Sequence, residues 1–152
     1  MRDRDESGRP RNARPRDAYG RPLPHGAAGV PTMPDDLDMP PAEALVEAQR
    51  LLDEDRPFHA HEVLEAAWKA APEPERELWR GLAQVAVGIT HLRRGNARGA
   101  QALLSRAADR IEPYGDTEAP PHRIDVDGIV RQARALAEHP QDAPVKLRLT
   151  AP

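Results

Sequence analysis

The chain has 152 residues, room for one ordinary domain, and carries 22 basic against 25 acidic residues for a formal net charge of -3. That balance lacks the basic excess that phosphate-backbone binding demands, and without cysteine there can be no disulfide, thiolate-ligated zinc, iron–sulfur site or cysteine nucleophile. No run approaches the roughly eighteen consecutive apolar residues of a membrane span, and the N-terminus lacks the apolar centre of a signal peptide, so the chain reads as soluble and cytoplasmic, with neither nucleic acid nor membrane as partner.

Eight of the 17 prolines fall between Pro10 and Pro41, among Gly8, Gly20, Gly26 and Gly29 at or near the same stretch. Residues 1–39 hold few large apolar residues and no sustained period, so they read as a disordered Pro/Arg-rich extension whose arginines alternate with acidic residues. The helical domain is expected over 40–140, with 141–152 as a C-terminal tail.

Ala44, Leu45, Ala48, Leu51 and Leu52 recur at three and four residues and predict a first helix over 42–54. Pro57 suits the first turn of a second helix, which runs to about Ala71 before Pro72-Glu73-Pro74. A third helix over 75–94 has Leu78, Leu82, Val85, Ile89 and Leu92 on one stripe and small apolar residues beside it, which predicts the most buried helix of the bundle. Gly95 then Asn96 reads as a helix stop followed by the N-cap of a fourth helix to Ile111. Asp125 or Asp127 caps a fifth helix that stops at Pro140. Val145 to Leu149 alternates, but it is a lone stretch without a partner strand.

Leu52–Ala67 set beside Leu92–Ala107 brings out an echo displaced by forty residues: Ala60 meets Ala100, Leu64 meets Leu104, Ala67 meets Ala107, and Asp55-Arg56 meets Gly95-Asn96 at the turn. The predicted fold is therefore all-α, a compact bundle of about five helices built from two tetratricopeptide-like hairpins plus a closing helix.

Potential chemistry concentrates on the second helix. With about 100° between successive residues, His61, Glu65 and Trp68 share a strip and Glu62 lies beyond it. The order His-Glu-x-x-Glu differs by one ligand from the zinc-peptidase pattern His-Glu-x-x-His, so His61 and Glu65 are candidate ligands with Glu62 as base. Folding the second and third helices about Pro72 places Gln84 and Arg80 opposite this cluster, with His91 nearer Phe58. A neutral amide and a cation complement a metal poorly, so no metal or cofactor is expected. Trp68 and Trp79 flank the bend and are candidates, with Phe58, for a partner surface or a pocket wall.

The run Phe58-His59-Ala60-His61-Glu62-Val63-Leu64-Glu65-Ala66-Ala67-Trp68, followed by Arg76, Gly81-Leu82-Ala83-Gln84-Val85-Ala86-Val87, His91, Gly95-Asn96, Gly99-Ala100 and Leu103-Leu104, resembles a bacterial and archaeal family known as domain of unknown function 309. The likeness spans about 42–130, including Ile124-Asp125-Val126-Asp127. It implies an all-helical fold and a shared polar centre at His61, Glu62, Glu65, Gln84 and His91, and it supplies no activity. The family's Glu-Glu pair is Glu65-Ala66 here, which removes one carboxylate from any metal site. Three functions remain: an interaction or scaffold module with a possible protein partner, a metal-dependent hydrolase, and a small-ligand pocket lined by Phe58, Trp68 and Gln84. The module reading is preferred; oligomeric state is not readable.

Overall fold

The structure, a computed structural model, describes residues 39–116, 120–140 and 147–151, and the backbone alone at 3–4 and 10–11, where two two-residue strands, Asp3–Arg4 and Pro10–Arg11, pair antiparallel. The remainder of the expected N-terminal extension lies outside the described residues. Five helices follow: α1 (Pro41–Asp53), α2 (Pro57–Ala70), α3 (Glu73–Arg93), α4 (Ala97–Ile111) and α5 (Val126–Glu138). Short 3-10 turns occupy Glu112–Asp116 and Pro121–Arg123. The domain is all-α, and its extensive helix–helix contacts all join consecutive helices: α1 on α2, α2 on α3, α3 on α4 and α4 on α5.

Local chemistry sets the boundaries. Proline occupies the first turns of α1, α2 and α3, where a missing N–H removes no intrahelical bond. The Asn96 side chain accepts a hydrogen bond from Gly99 N at 3.0 Å and starts α4. Of the two candidate caps for α5, Asp125 holds the position, its carboxylate accepting from Gly128 N at 3.2 Å.

The forty-residue echo extends to the backbone. At the end of α1, Arg56 N donates to Leu51 O and Asp55 N to Leu52 O; at the end of α3, Asn96 N donates to His91 O and Gly95 N to Leu92 O. Both are Schellman turns, and both place their C′ residue in the left-handed region, Asp55 at φ 58° and Gly95 at φ 79°. Ala60 and Ala100, and Leu64 and Leu104, are buried at matching positions, whereas Ala67 is half-buried and Ala107 buried. Arg93 Nε donates to Asp55 Oδ1 at 2.6 Å and ties the two turns together.

Asp55 thus holds a conformation glycine would adopt freely while serving as an anchor for Arg93. Asp55→Gly is expected to be nearly neutral in urea unfolding, since relief of about 1 kcal/mol of left-handed strain offsets a partly exposed ion pair worth about 1 kcal/mol. Asp55→Val loses the pair and deepens the strain, and is expected to destabilise by about 2 kcal/mol. Equal effects of the two variants would remove the backbone from the explanation.

Helix α3 is the central element, burying Leu78, Trp79, Leu82, Val85 and Ile89. Its contact with α4 is close because Gly81 lies against Ile111 and Gly88 against Leu104; a methyl group added at Gly88 would stand 2.7 Å from Leu104 Cγ. Val145–Leu149 departs from expectation in the part that is described: residues 147–151 are not a lone stretch. Ile124 and Thr150 form an antiparallel bridge, and Leu147 and Leu149 are 3% and 1% exposed. The alternation is real, and its partner is a single turn of chain before α5.

Candidate functional site

Along α2, spacing of four residues produces a ladder. His61 Nε2 lies 2.9 Å from Glu65 Oε2, and Lys69 Nζ lies 3.3 Å from Glu65 Oε1, so one carboxylate is shared by two nitrogen donors of its own helix. The hydrogen bond from His61, reinforced by the charges of His61 and Lys69, holds the Glu65 carboxyl at about 2 against an ordinary 4.5, although partial burial opposes this. The Phe58 ring packs on His61 with centroids 5.6 Å apart, and it meets the buried His59 edge to face at 6.0 Å. His61 Nδ1 is shielded from solvent and has no hydrogen-bond partner among the described residues. Glu62 is half-buried on the adjoining strip.

Because the folded-state pKa of Glu65 is depressed, its contribution to stability is complete above pH 4.5 and is lost as pH falls towards 2. Urea unfolding of wild type and Glu65→Gln is therefore expected to differ most near pH 5 and to converge towards pH 2. A constant difference across that window would mean that the carboxylate is not stabilised in the fold.

The other predicted residues face elsewhere. Gln84 Oε1 accepts from Arg110 Nε of α4 at 3.2 Å, and Arg110 also pairs with Glu77. Hairpin pairing considered α2 alone; Gln84 lies between Gly81 and Gly88 on the stripe that α4 approaches most closely, and α4 supplies its partner. Arg80 does not pair with Glu65. Its guanidinium stands 5.4 Å from the centroid of the Trp68 ring, and it faces Glu77 at 3.9 Å. His91 Nδ1 lies 3.1 Å from Asn96 Nδ2 at the α3–α4 turn, where burial and then the Arg94 charge lower its pKa.

The polar centre expected on the second and third helices is thus divided into local groups: the His61–Glu65–Lys69 ladder, the Gln84–Arg110–Glu77 bridge, and the His91–Asn96 turn. Among the described residues no three His, Asp or Glu side chains cluster in a way that could hold a metal. Of the residues envisaged around a pocket, Gln84 is hydrogen-bonded to Arg110 of α4 and Trp68 is stacked with Arg80.

Trp68 is half-buried beneath Arg80, on the same strip as His61 and Glu65. Trp79 is 1% exposed, so it serves as core and is closed to a partner. Its indole N–H donates to Glu75 Oε1 at 3.2 Å, and the same oxygen lies 2.8 Å from His122 Nε2. The His122 ring stands 5.8 Å from that of Trp79. His122 and Arg123 both have positive φ, at 56° and 61°, so this contact restrains a strained turn against α3. Sequence reasoning missed this group. The spacing of Glu75 and Trp79 was visible, but nothing local marks His122 as their neighbour.

Residues 45–103 match the model of a family described as Domain of unknown function (DUF309). Over 51 residues the chain is 41% identical to the "Uncharacterized protein YpuF" of Bacillus subtilis (strain 168), a stretch covering 33% of this chain and 29% of that protein. No solved structure matches. No helix among the described residues is long and apolar enough to cross a membrane.

Proposed function

We propose that this helical domain, whose residues 45–103 fit DUF309, is a protein-interaction module working in the cytoplasm, and that its contact strip is His61, Glu65, Trp68 and Lys69 of α2 with Arg80 of α3. The observation that supports this reading is the Trp68–Arg80 stack beside an ordered charge ladder. Tryptophan and arginine dominate binding hot spots because each offers a large contact area together with directional polar atoms. Here the guanidinium is already stacked, so less side-chain freedom is lost when a partner binds. The consecutive helical hairpins form the sort of frame on which such surfaces are displayed.

The hydrolase alternative needs His61 and Glu65 free for a dication, but each engages the other and Lys69 places a competing cation on the same carboxylate. Metal analysis of untagged protein is expected to give well under one equivalent of zinc, iron or manganese. A stoichiometric metal lost in His61→Ala would make the hydrolase the leading reading. The module reading is tested by photo-crosslinking in cells from position 70, an exposed neighbour of the strip. A discrete adduct is expected, absent when Trp68 and Arg80 are both alanine in a chain of unchanged helicity. The same adducts from position 98, or adducts indifferent to the double substitution, would sink it.

A further inference from the structure

Helix α3 turns one stripe outward between the two helices that flank it. Arg80, Gln84, Val87 and His91, spaced four, three and four, lie on one face, and each is half-buried. α4 repeats the spacing with Gly99, Leu103, Arg106 and Arg110, and α2 repeats part of it with His61, Glu65 and Trp68. Two contacts join these stripes. The Arg80 guanidinium lies over Trp68 on one side, and Gln84, one turn along, accepts from Arg110 on the other. The outward stripe of α3 is therefore the floor of a trough walled by α2 and α4.

The register sets which residues come level. Gly81 against Ile111 and Gly88 against Leu104 fix an antiparallel pairing that brings Val87 level with the turn carrying Leu103 and Arg106. From Trp68 beside Arg80, seven residues back along α2 and seven forward along α3 bring His61 level with Val87, and the Phe58 ring packs on His61. One end of the trough is thus apolar, with Phe58, Val87 and Leu103 half-buried about it. Towards the other end hydrogen-bond donors are in surplus. Glu65 and Glu77 are each already shared by two nitrogen groups, the first by His61 and Lys69, the second by Arg80 and Arg110. Arg106 is exposed and has no partner among the described residues. Since Gln84 Oε1 is taken by Arg110, its Nε2 is left to donate from the floor. Lys69, Arg80, Arg106 and Arg110 against Glu65 and Glu77 make a cationic surface on a chain whose formal net charge is -3. Such a surface calls for an occupant rich in acceptors. A helix has most of its carbonyls engaged internally, whereas an extended chain presents them along its length, and carboxylates answer the arginines.

We propose that this trough takes an acidic peptide segment in extended conformation. One large apolar side chain sits among Phe58, Val87 and Leu103, a backbone carbonyl accepts from Gln84 Nε2, and carboxylates meet Arg106 and Arg80. The inference rests on the reading of the α2 strip as a contact surface and supplies the chemistry of its partner. From Val87 to Arg80 is about 10 Å at about 1.5 Å per residue, a span that an extended chain covers in about three residues. The acids therefore fall within about three positions of the apolar anchor.

A phage-displayed library of random dodecapeptides, selected on the full-length wild-type chain, tests this without a known partner. The expected consensus is one large apolar residue with at least a pair of Asp or Glu residues close by in sequence. The best peptide, fluorescently labelled, is expected to bind Arg106→Glu about tenfold or more weakly than wild type, a substitution whose exposed position spares the fold. Arg131→Glu, exposed on α5 beyond α4, is expected to bind it as wild type does. No enriched sequence, or a consensus without acidic residues, overturns the proposal. Peptides that need Trp68 yet bind Arg106→Glu and Leu103→Gln as tightly as wild type overturn the trough and leave the α2 strip standing. Peptides indifferent to Trp68→Ala and Arg106→Glu alike bind elsewhere and overturn both.

Discussion

Trp79→Ala is expected to destabilise the domain by about 3–5 kcal/mol, the largest effect of any single truncation in α3. The side chain is buried in the central helix, so its removal leaves a cavity that neighbouring Leu78 and Leu82, each already packed, cannot collapse to fill. The loss is more than apolar. Glu75 Oε1 forfeits the indole donor, and the strained turn at His122 loses the ring against which it rests. Trp79→Phe keeps most of the volume and separates the two contributions: about 1–2 kcal/mol is expected for it, from the lost hydrogen bond and the smaller ring. Equilibrium urea unfolding measures both variants. A Trp79→Ala change below about 1 kcal/mol would show that the residue is not a core element.

Deletion of residues 147–152 is expected to be comparably severe, at about 3–6 kcal/mol, from two buried leucines at about 1.5–3 kcal/mol each. It also removes both backbone partners of Gln49 and those of Arg123 and Asp125. At about 4–8 °C per kcal/mol for a domain of this size, the melting temperature should fall by well over 10 °C. Arg148→Ala provides the control, because its side chain is exposed and its pairing with Asp53 is loose; a change within about 0.5 kcal/mol is expected. A truncated chain that melts with the wild type would mean that the segment does not hold the domain together in solution.

These expectations differ in how far the residues alone announce them. Helix starts and stops were legible because their causes are local: Pro57, Asn96 and one of the pair Asp125 and Asp127 act within three residues of themselves, and Gly95 does the same at the end of α3. The His61–Glu65 contact was legible for the same reason, being one helical turn long. Asp55 was half legible. Aspartate tolerates the left-handed region without announcing it, and only its alignment with Gly95 pointed there. The direction of Gln84 was not legible, since α2 and α4 both flank α3 and only three-dimensional packing decides which of them meets it. Gly81 and Gly88, two turns apart on one stripe, mark the side of α3 that is approached most closely. His122 and residues 147–151 were beyond reach because their partners lie 24 to 100 residues away, with no periodicity to connect them.

The consecutive pairing of helices has a kinetic consequence. Each hairpin closes a short loop, so α1 with α2 and α3 with α4 can form early at small entropic expense, in the manner of fast-folding low-contact-order proteins. The Gln49 clasp requires closure of a loop of about a hundred residues before it returns any energy. In a stopped-flow experiment the helices should therefore gain their ellipticity first, and protection of Leu149 N from hydrogen exchange should lag behind it. During that interval α1 offers an empty seat, which makes the nascent domain, more than the finished one, the species most open to capture by another chain.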